Sequence, residues 1–243
     1  MWRAAPGLSA AATDRLPGEG EAATLAYMPR IADSPAVSPP TDRFERRARR
    51  RGASVIAGVD EAGRGPLAGP VVTAAVVLHD RRSLAGLDDS KRLPAAERER
   101  LYAIILKRAT VSIAVASRER IDRMNILRAS LWAMSRTVAG LSCRPDHVLV
   151  DGNMLPPDLP CMAEAIVDGD ALSVSIAAAS IVAKVTRDRL MQRLGEAYPL
   201  YGFERHMGYS TPEHFAALCA HGPCPHHRQS FAPVREQQLL LEV

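Results

Sequence analysis

The stretch "VIAGVDEAGRGPLAGPVVTAAVVL", residues 55–78, decides how the chain folds. β-branched and small apolar residues fill both flanks, and a glycine- and proline-rich connection separates them, so it predicts two paired strands. Asp60 and Glu61 stand where the first strand ends, and Gly63, Arg64 and Gly65 follow at once. Adjacent carboxylates raise each other's pKa and call for a compensating cation. "GRGPLA" also matches the dinucleotide-binding pattern G-x-G-x-x-A, with Asp80 roughly where an acidic ribose ligand would be sought. That pattern needs a helix directly after its glycines, and "GPVVTAAVVL" is a strand pattern, so the reading is rejected.

Downstream, "PAAERERLYAIILKRA" opens with Pro94 in a first-turn position and spaces its apolar residues for a helix. "VSIAVAS" predicts a third strand, and "RERIDRMNILRASLWAMSRTVAGL" one long amphipathic helix. "HVLV" is a fourth strand stopping at Asp151-Gly152, and "AEAIV" a fifth stopping before Asp168-Gly169-Asp170. "ALSVSIAAASIVAKVTRDRLMQRL" is an Ala-rich helix suited to close packing on a sheet. "YPLYGFERHMGYS" reads as a polar and aromatic loop, and "TPEHFAALCA" as a short helix with Thr211 as N-cap and Pro212 at its first position. Strands first, then strands alternating with helices, define an α/β protein with a mixed five-stranded sheet flanked by helices and a helical C-terminal part.

With 243 residues, 47% of them hydrophobic, the chain can bury a real core. Its 31 Lys and Arg against 27 Asp and Glu permit a polyanionic partner without establishing one. The scattered Cys143, Cys161, Cys219 and Cys224 are expected to be reduced thiols. No apolar run approaches the roughly 18 residues of a membrane span. A cytoplasmic protein without a membrane partner is therefore expected. Residues 1–52 are rich in Ala, Pro, Ser and Arg, lack a sustained period, and close with "RFERRARRR", which reads as a disordered extension. That basic end either adds phosphate affinity or is a solvated charge run. Residues 53–243 are expected to form the folded domain, its sheet core spanning about 53–194 and its helical part about 195–243.

The acidic residues then fall at strand ends: Asp60 and Glu61 after the first, Asp151 after the fourth, Asp170 after the fifth. Taken singly, Asp151 is a turn residue and Asp170 a helix N-cap. Four carboxylates converging at strand ends suit one or two hard divalent cations such as Mg²⁺. Two such ions about 4 Å apart serve in-line displacement at phosphorus. Asp188, in "TRDR", lies four residues after Lys184 and between Arg187 and Arg189, and reads as a solvated ion-paired face. "CAHGPCPHH" gathers Cys219, His221, Cys224, His226 and His227, but the spacing is not a finger pattern and no second Cys/His pair exists, so zinc is set aside.

At this point the chain resembles type 2 ribonuclease H, the bacterial ribonuclease HII family. The likeness runs through "GVDEAGRGPLAGPVV", "LDDSKRL", "NILRASLWAM", "VLVDGN", "GDALSVSIAAASIVAKVTRDRLM", "YPLYGFERHMGYSTPEH" and "HHRQSFAPV", in order from about residue 54 to 234. It implies a ribonuclease H-like fold that cuts the RNA strand of RNA·DNA hybrids and nicks 5′ of single ribonucleotides in duplex DNA. It further implies that Asp60, Glu61, Asp151 and Asp170 bind two Mg²⁺ or Mn²⁺ ions, and that Gly63, Arg64 and Gly65 read the ribose 2′-hydroxyl. Tyr209 would stack on the following sugar, and Lys91 would lie near the phosphate backbone. A monomer acting on these nucleic acids is expected. Asp168 departs from a basic residue common in the family, and Met207 from a common lysine. The tail "QQLLLEV" distantly resembles peptides that dock on bacterial sliding clamps, with a frayed amphipathic end as the plainer reading.

Overall fold

Two apolar runs joined by the eight residues 63–70 make the central hairpin of the sheet. In the computed structural model, which describes residues 38–79 and 86–241, β1 (Ile56–Ala62) pairs antiparallel with β2 (Val71–Leu78), Ala57 opposite Val77 and Glu61 opposite Thr73. Asp80, the first 37 residues and the last two lie outside the described residues. β2 continues antiparallel to β3 (Ala109–Ala116), whereas β1 runs parallel to β4 (His147–Asp151), and β4 parallel to β5 (Met162–Ile166). The order β3-β2-β1-β4-β5 is the expected mixed five-stranded α/β sheet.

β2 is apolar almost throughout because both faces of the sheet are covered. On one face α2 (Ala95–Arg108) and the long α6 (Val174–Ala197) bury Leu101, Ile105, Ile181 and Val182 against Ala74 and Val76. On the other, α4 (Ile126–Ala139) packs Met134 and Val138 on Val59, Val77 and Val150. Gly58 lets α6 approach the sheet backbone: a Cβ there would stand 2.1 Å from the carbonyl carbon of Ser175. The helix is thereby seated directly behind the strand end that carries Asp60.

Three expected elements differ. The single helix expected across residues 118–141 divides at Asn125 into α3 (Arg118–Met124) and α4. Asn125 adopts φ 66° and ψ 165°, a backbone that residues with a side chain rarely enter, and its side chain accepts the Arg128 N–H at 3.0 Å as the cap of α4. The Ala-rich helix likewise begins with a separate turn, α5 (Gly169–Leu172), before Ser173 caps α6 by accepting from the Ile176 N–H. Asp170 is therefore no cap of the long helix. Inside the expected loop lie a 3₁₀ turn at Pro199–Tyr201 and α7 (Phe203–His206); α8 (Pro212–His221) has Thr211 as its cap, as expected. The helix α9 (Ala232–Leu241), held by Val234 buried with Leu67 and Leu218, runs into the C-terminal tail, whose last two residues lie outside the described residues.

The expected extension also ends sooner than residue 52. Arg43–Arg50 form α1, whose Phe44 and Ala48 join Ile56, Leu149, Ile166 and Ile176 in one apolar cluster. Glu45, buried on the same side, accepts from Ser173 Oγ (2.6 Å), Ser175 Oγ (2.7 Å) and the Ser175 N–H (3.0 Å) at the start of α6. Two apolar residues among six arginines are too few to show a period in the sequence. Removing this carboxylate with Glu45→Ala leaves buried donors without a partner, a cost of about 1–3 kcal/mol. The melting temperature is expected to fall by several degrees; an unchanged melt would show that Glu45 does not anchor the segment.

Candidate active site

Because β1 and β4 run parallel with Val59 beside Val150, the residues that follow, Asp60 and Asp151, leave the sheet side by side. Glu61 follows Asp60, and ligand oxygens of Asp60, Glu61 and Asp151 all lie within 4.8 Å of one another. Among the described residues no other group of three His, Cys, Asp or Glu side chains comes together in this way. Asp60 is 4% exposed, and its Oδ1 accepts the Glu61 N–H at 2.6 Å. Ser180 of α6 also hydrogen-bonds its carboxylate, and Ser180 Oγ lies 2.9 Å from Ser90 Oγ.

All three carboxyls are held above their ordinary pKa. For Asp60 the causes are burial, then the neighbouring Glu61 and Asp151. Burial also raises Glu61, against the opposing pull of Arg64 and Lys91. Asp151 is pushed up to about 6 by burial, Asp170 and Glu61. Three hard oxygen donors that repel one another in a partly desolvated cleft have the charge and chemistry to hold divalent cations. The donor set therefore fits the metal that the sequence implies.

Asp170 stands beside this trio rather than within it. Its backbone N–H reaches Asp151 Oδ1 at 3.3 Å, while its carboxylate pairs with Lys91 Nζ at 3.0 Å. Burial would lower the Lys91 pKa, but the hydrogen bond to Asp170 and the charges of Asp170, Asp89 and Asp60 outweigh it and raise it. Lys91, expected near phosphate, thus serves here as counter-ion to the fourth carboxylate.

The loop after β1 completes the cleft. Arg64 Nη1 donates to Glu61 Oε1 at 3.1 Å, and its side chain is half exposed. A cavity of about 240 Å³ is walled by Glu61, Arg64, Gly65, Lys91, Asp151 and Tyr209 among others. Tyr209 is 45% exposed, with its ring edge near Gly65. A larger cavity, about 360 Å³, lies behind the loop between Pro70, Val115, Leu190 and Leu194; it contains none of the acidic trio and is not the site of the chemistry.

Two residues that the sequence reading missed fix this loop. Arg228, fully buried, donates from Nη2 to Gly63 O (2.6 Å), from Nη1 to Arg64 O (2.8 Å) and from Nε to Gly69 O (3.0 Å). Arg187, equally buried, donates to Pro70 O (3.0 Å), Met207 O (3.1 Å) and Ala68 O (3.3 Å). The flanking of Asp188 by solvated arginines is thus corrected: Arg189 pairs with Glu99 at the surface, and Lys184 with Asp188 at 2.6 Å, but Arg187 points inward. Gly63, at φ +98°, is required because a Cβ would overlap the Arg187 guanidinium. In a trans peptide the N–H opposes the C=O, so carbonyls turned onto Arg228 send the Arg64 and Gly65 N–H groups the other way. Met207 and Gly208, both at positive φ, make the turn that presents Tyr209, and Gly208 O accepts from the Leu67 N–H at 2.8 Å.

The Cys/His cluster is packing. His214 Nε2 lies 2.9 Å from His227 Nε2, His227 Nδ1 lies 3.2 Å from the buried Cys224 Sγ, and Cys219 is exposed elsewhere. Burial, reinforced by His214, depresses the His227 pKa to about 4, as for an uncharged core imidazole. Asp168 occupies the left-handed region, φ 54°, in the turn before α5.

An open mixed sheet with carboxylates at the ends of adjacent central strands and a glycine-flanked arginine beside them defines a nuclease of the ribonuclease H-like class. The ribonuclease HII family profile matches residues 57–234. Ribonuclease HII of Xanthobacter autotrophicus is 65% identical over 188 residues, 77% of this chain and 75% of that protein. The Azorhizobium caulinodans protein of the same name is 60% identical over 197 residues, 81% of this chain and 76% of its own length. Among solved structures, ribonuclease H2 from Pyrococcus horikoshii superposes with a TM-score of 0.65 at 28% identity, covering 78% of this chain and 99% of that one. A ribonuclease HIII crystallised with Mn²⁺, 21% identical at a TM-score of 0.65, shares the fold. The chain belongs to the ribonuclease HII family. It is a ribonuclease H, a hydrolase acting on RNA paired with DNA. No helix among its described residues is long and apolar enough to cross a membrane.

Proposed function

We propose that this chain nicks duplex DNA on the 5′ side of a single embedded ribonucleotide as well as cutting longer hybrids, leaving a 3′-hydroxyl and a 5′-phosphate. One observation carries the reading: the carboxylate trio, the Gly63–Arg64–Gly65 loop and Tyr209 line a single cleft. Asp60, Glu61 and Asp151 would hold the divalent cations, Mg²⁺ or Mn²⁺, with Asp170 as the fourth acidic group beside them. Two such ions, when bound, would supply the water activation and leaving-oxygen stabilisation of an in-line displacement. The chain's own residues supply the selection. The outward Arg64 and Gly65 N–H groups and the absence of a Gly65 side chain allow close approach to a ribose, whose 2′-hydroxyl is what separates RNA from DNA. The Tyr209 ring offers a flat face for the neighbouring sugar, which checks the strand's geometry without reading a base. Lys91, released from Asp170, would meet the phosphate backbone as a point charge.

The test compares three duplexes in Mg²⁺ and in Mn²⁺: one with a single ribonucleotide, an RNA·DNA hybrid, and all-DNA. The first two should be cut and the third spared. A hybrid cut without any nick at the single ribonucleotide would confine the activity to long hybrids. Cleavage of branched all-DNA substrates would point to a different nuclease activity on the same fold.

A further inference from the structure

The chain carries a formal net charge of +4, and the ten residues 42–51 contribute six arginines against Asp42 and Glu45, a net of +4. The remaining sequence is therefore balanced, 25 basic residues against 25 acidic. That excess is folded onto one face. With Phe44, Glu45 and Ala48 turned into the protein, Arg43, Arg46, Arg47 and Arg50 recur at i, i+3, i+4 and i+7 on the opposite side of α1. Arg46 pairs with Asp42 at 3.3 Å and Arg47 with Glu164, but Arg49, Arg50 and Arg51 are exposed and have no carboxylate partner among the described residues. The helix approaches the catalytic centre at its start, while its far end lies by Asp146 and His147, where β4 begins. Thr41 donates to Leu172 O at 3.1 Å and accepts from the Val174 N–H at 3.3 Å, which ties the start of α1 to the α5–α6 junction two residues beyond Asp170. The arginines of α1 all lie before residue 57, where the family match begins.

We propose that the arginine face of α1 is a second nucleic-acid contact, taking backbone phosphates of duplex that extends out of the cleft on the Asp170 side. A duplex backbone is the occupant because it offers repeated negative charge along a length comparable to the helix, about 12 Å for eight residues. The contact positions substrate without reading sequence, and it leaves the chemistry to the carboxylates. It rests on the chain's action on RNA paired with DNA.

The test uses the full chain and its R43Q/R46Q/R47Q/R50Q variant. Binding of a fluorescent RNA·DNA hybrid of about 30 base pairs is measured in EDTA across a salt series, with hybrid cleavage in Mg²⁺ alongside. Each lost phosphate contact removes about 0.9 from the slope of log affinity against log salt, so the slope should fall by about 2–3 and binding weaken by roughly tenfold near physiological salt. The kcat on saturating hybrid should stay unchanged, and a hybrid of about 10 base pairs should show a smaller loss. The corresponding Arg→Lys variant keeps the charge and should keep the slope. An unchanged slope in the Gln variant, or an equal loss in the Lys variant, overturns the proposal. A wild-type chain that neither binds nor cuts hybrid overturns the activity reading instead.

Discussion

Asp60→Asn should cut hybrid hydrolysis by about a thousandfold or more while the cation-free protein becomes more stable. The loss follows from removing one charged ligand from a three-carboxylate set, which forfeits several kcal/mol of transition-state stabilisation. The gain has a separate origin: Asp60 is buried between Glu61 and Asp151, and its charge is unfavourable until a cation arrives. The pH dependence gives its sign. A carboxyl whose pKa is higher in the folded state binds protons more tightly there than in the unfolded chain, so stability declines as pH rises. For Asp151 that decline spans its ordinary 3.8 to about 6. Melts in EDTA between pH 4 and 8 should fall steadily for the wild type and less for the Asn variant, and Mg²⁺ should restore the wild type selectively. An Asn variant that melts lower than wild type at pH 7 without metal would show that the Asp60 charge is already compensated.

Arg228→Met should be the most damaging change outside the acidic cleft. Its guanidinium occupies three carbonyls of the loop, and truncation leaves Gly63 O, Arg64 O and Gly69 O without their buried donor. Buried polar groups stripped of a charged partner cost about 1–3 kcal/mol each. A total of about 3 kcal/mol or more would lower the melting temperature by roughly 6–12 °C in a domain of this size. Arg228→Lys should rescue little, because a single ammonium cannot span three divergent carbonyls. The kcat/KM on hybrid should drop at least tenfold in both variants at a temperature where they remain folded. Full activity in folded Arg228→Lys would show that the loop keeps its shape without the fork.

The sheet was legible because its strands are short apolar runs closed by turn residues, and Asp60, Glu61 and the Gly63–Arg64–Gly65 loop stand in the hairpin itself. Less was visible where the partner is backbone. Arginine is exposed by default, and a carbonyl has no letter in the sequence, so the inward turn of Arg187 and Arg228 could not be read directly. One signal was present: Ala183, Arg187 and Met191 share a helix face at i, i+4 and i+8, and an arginine in the middle of a small-residue stripe is out of place on a solvated surface. Asn125 shows the same limit at helix scale, since the apolar period runs on across it while its backbone takes a positive φ. Asp170 was found by its position after a strand, but its pairing with Lys91 depends on a loop more than 75 residues earlier.

The long reach of Arg228 also sets an order of events during synthesis. The strand bearing Asp60 and Glu61 leaves the ribosome about 165 residues before the side chain that shapes the loop beside it. At roughly 5–20 residues per second the interval is about 8–33 s. Asp151 follows Glu61 by 90 residues, so the acidic trio is complete well before Arg228 is made, and the loop beside it takes its fixed shape only once the C-terminal part docks.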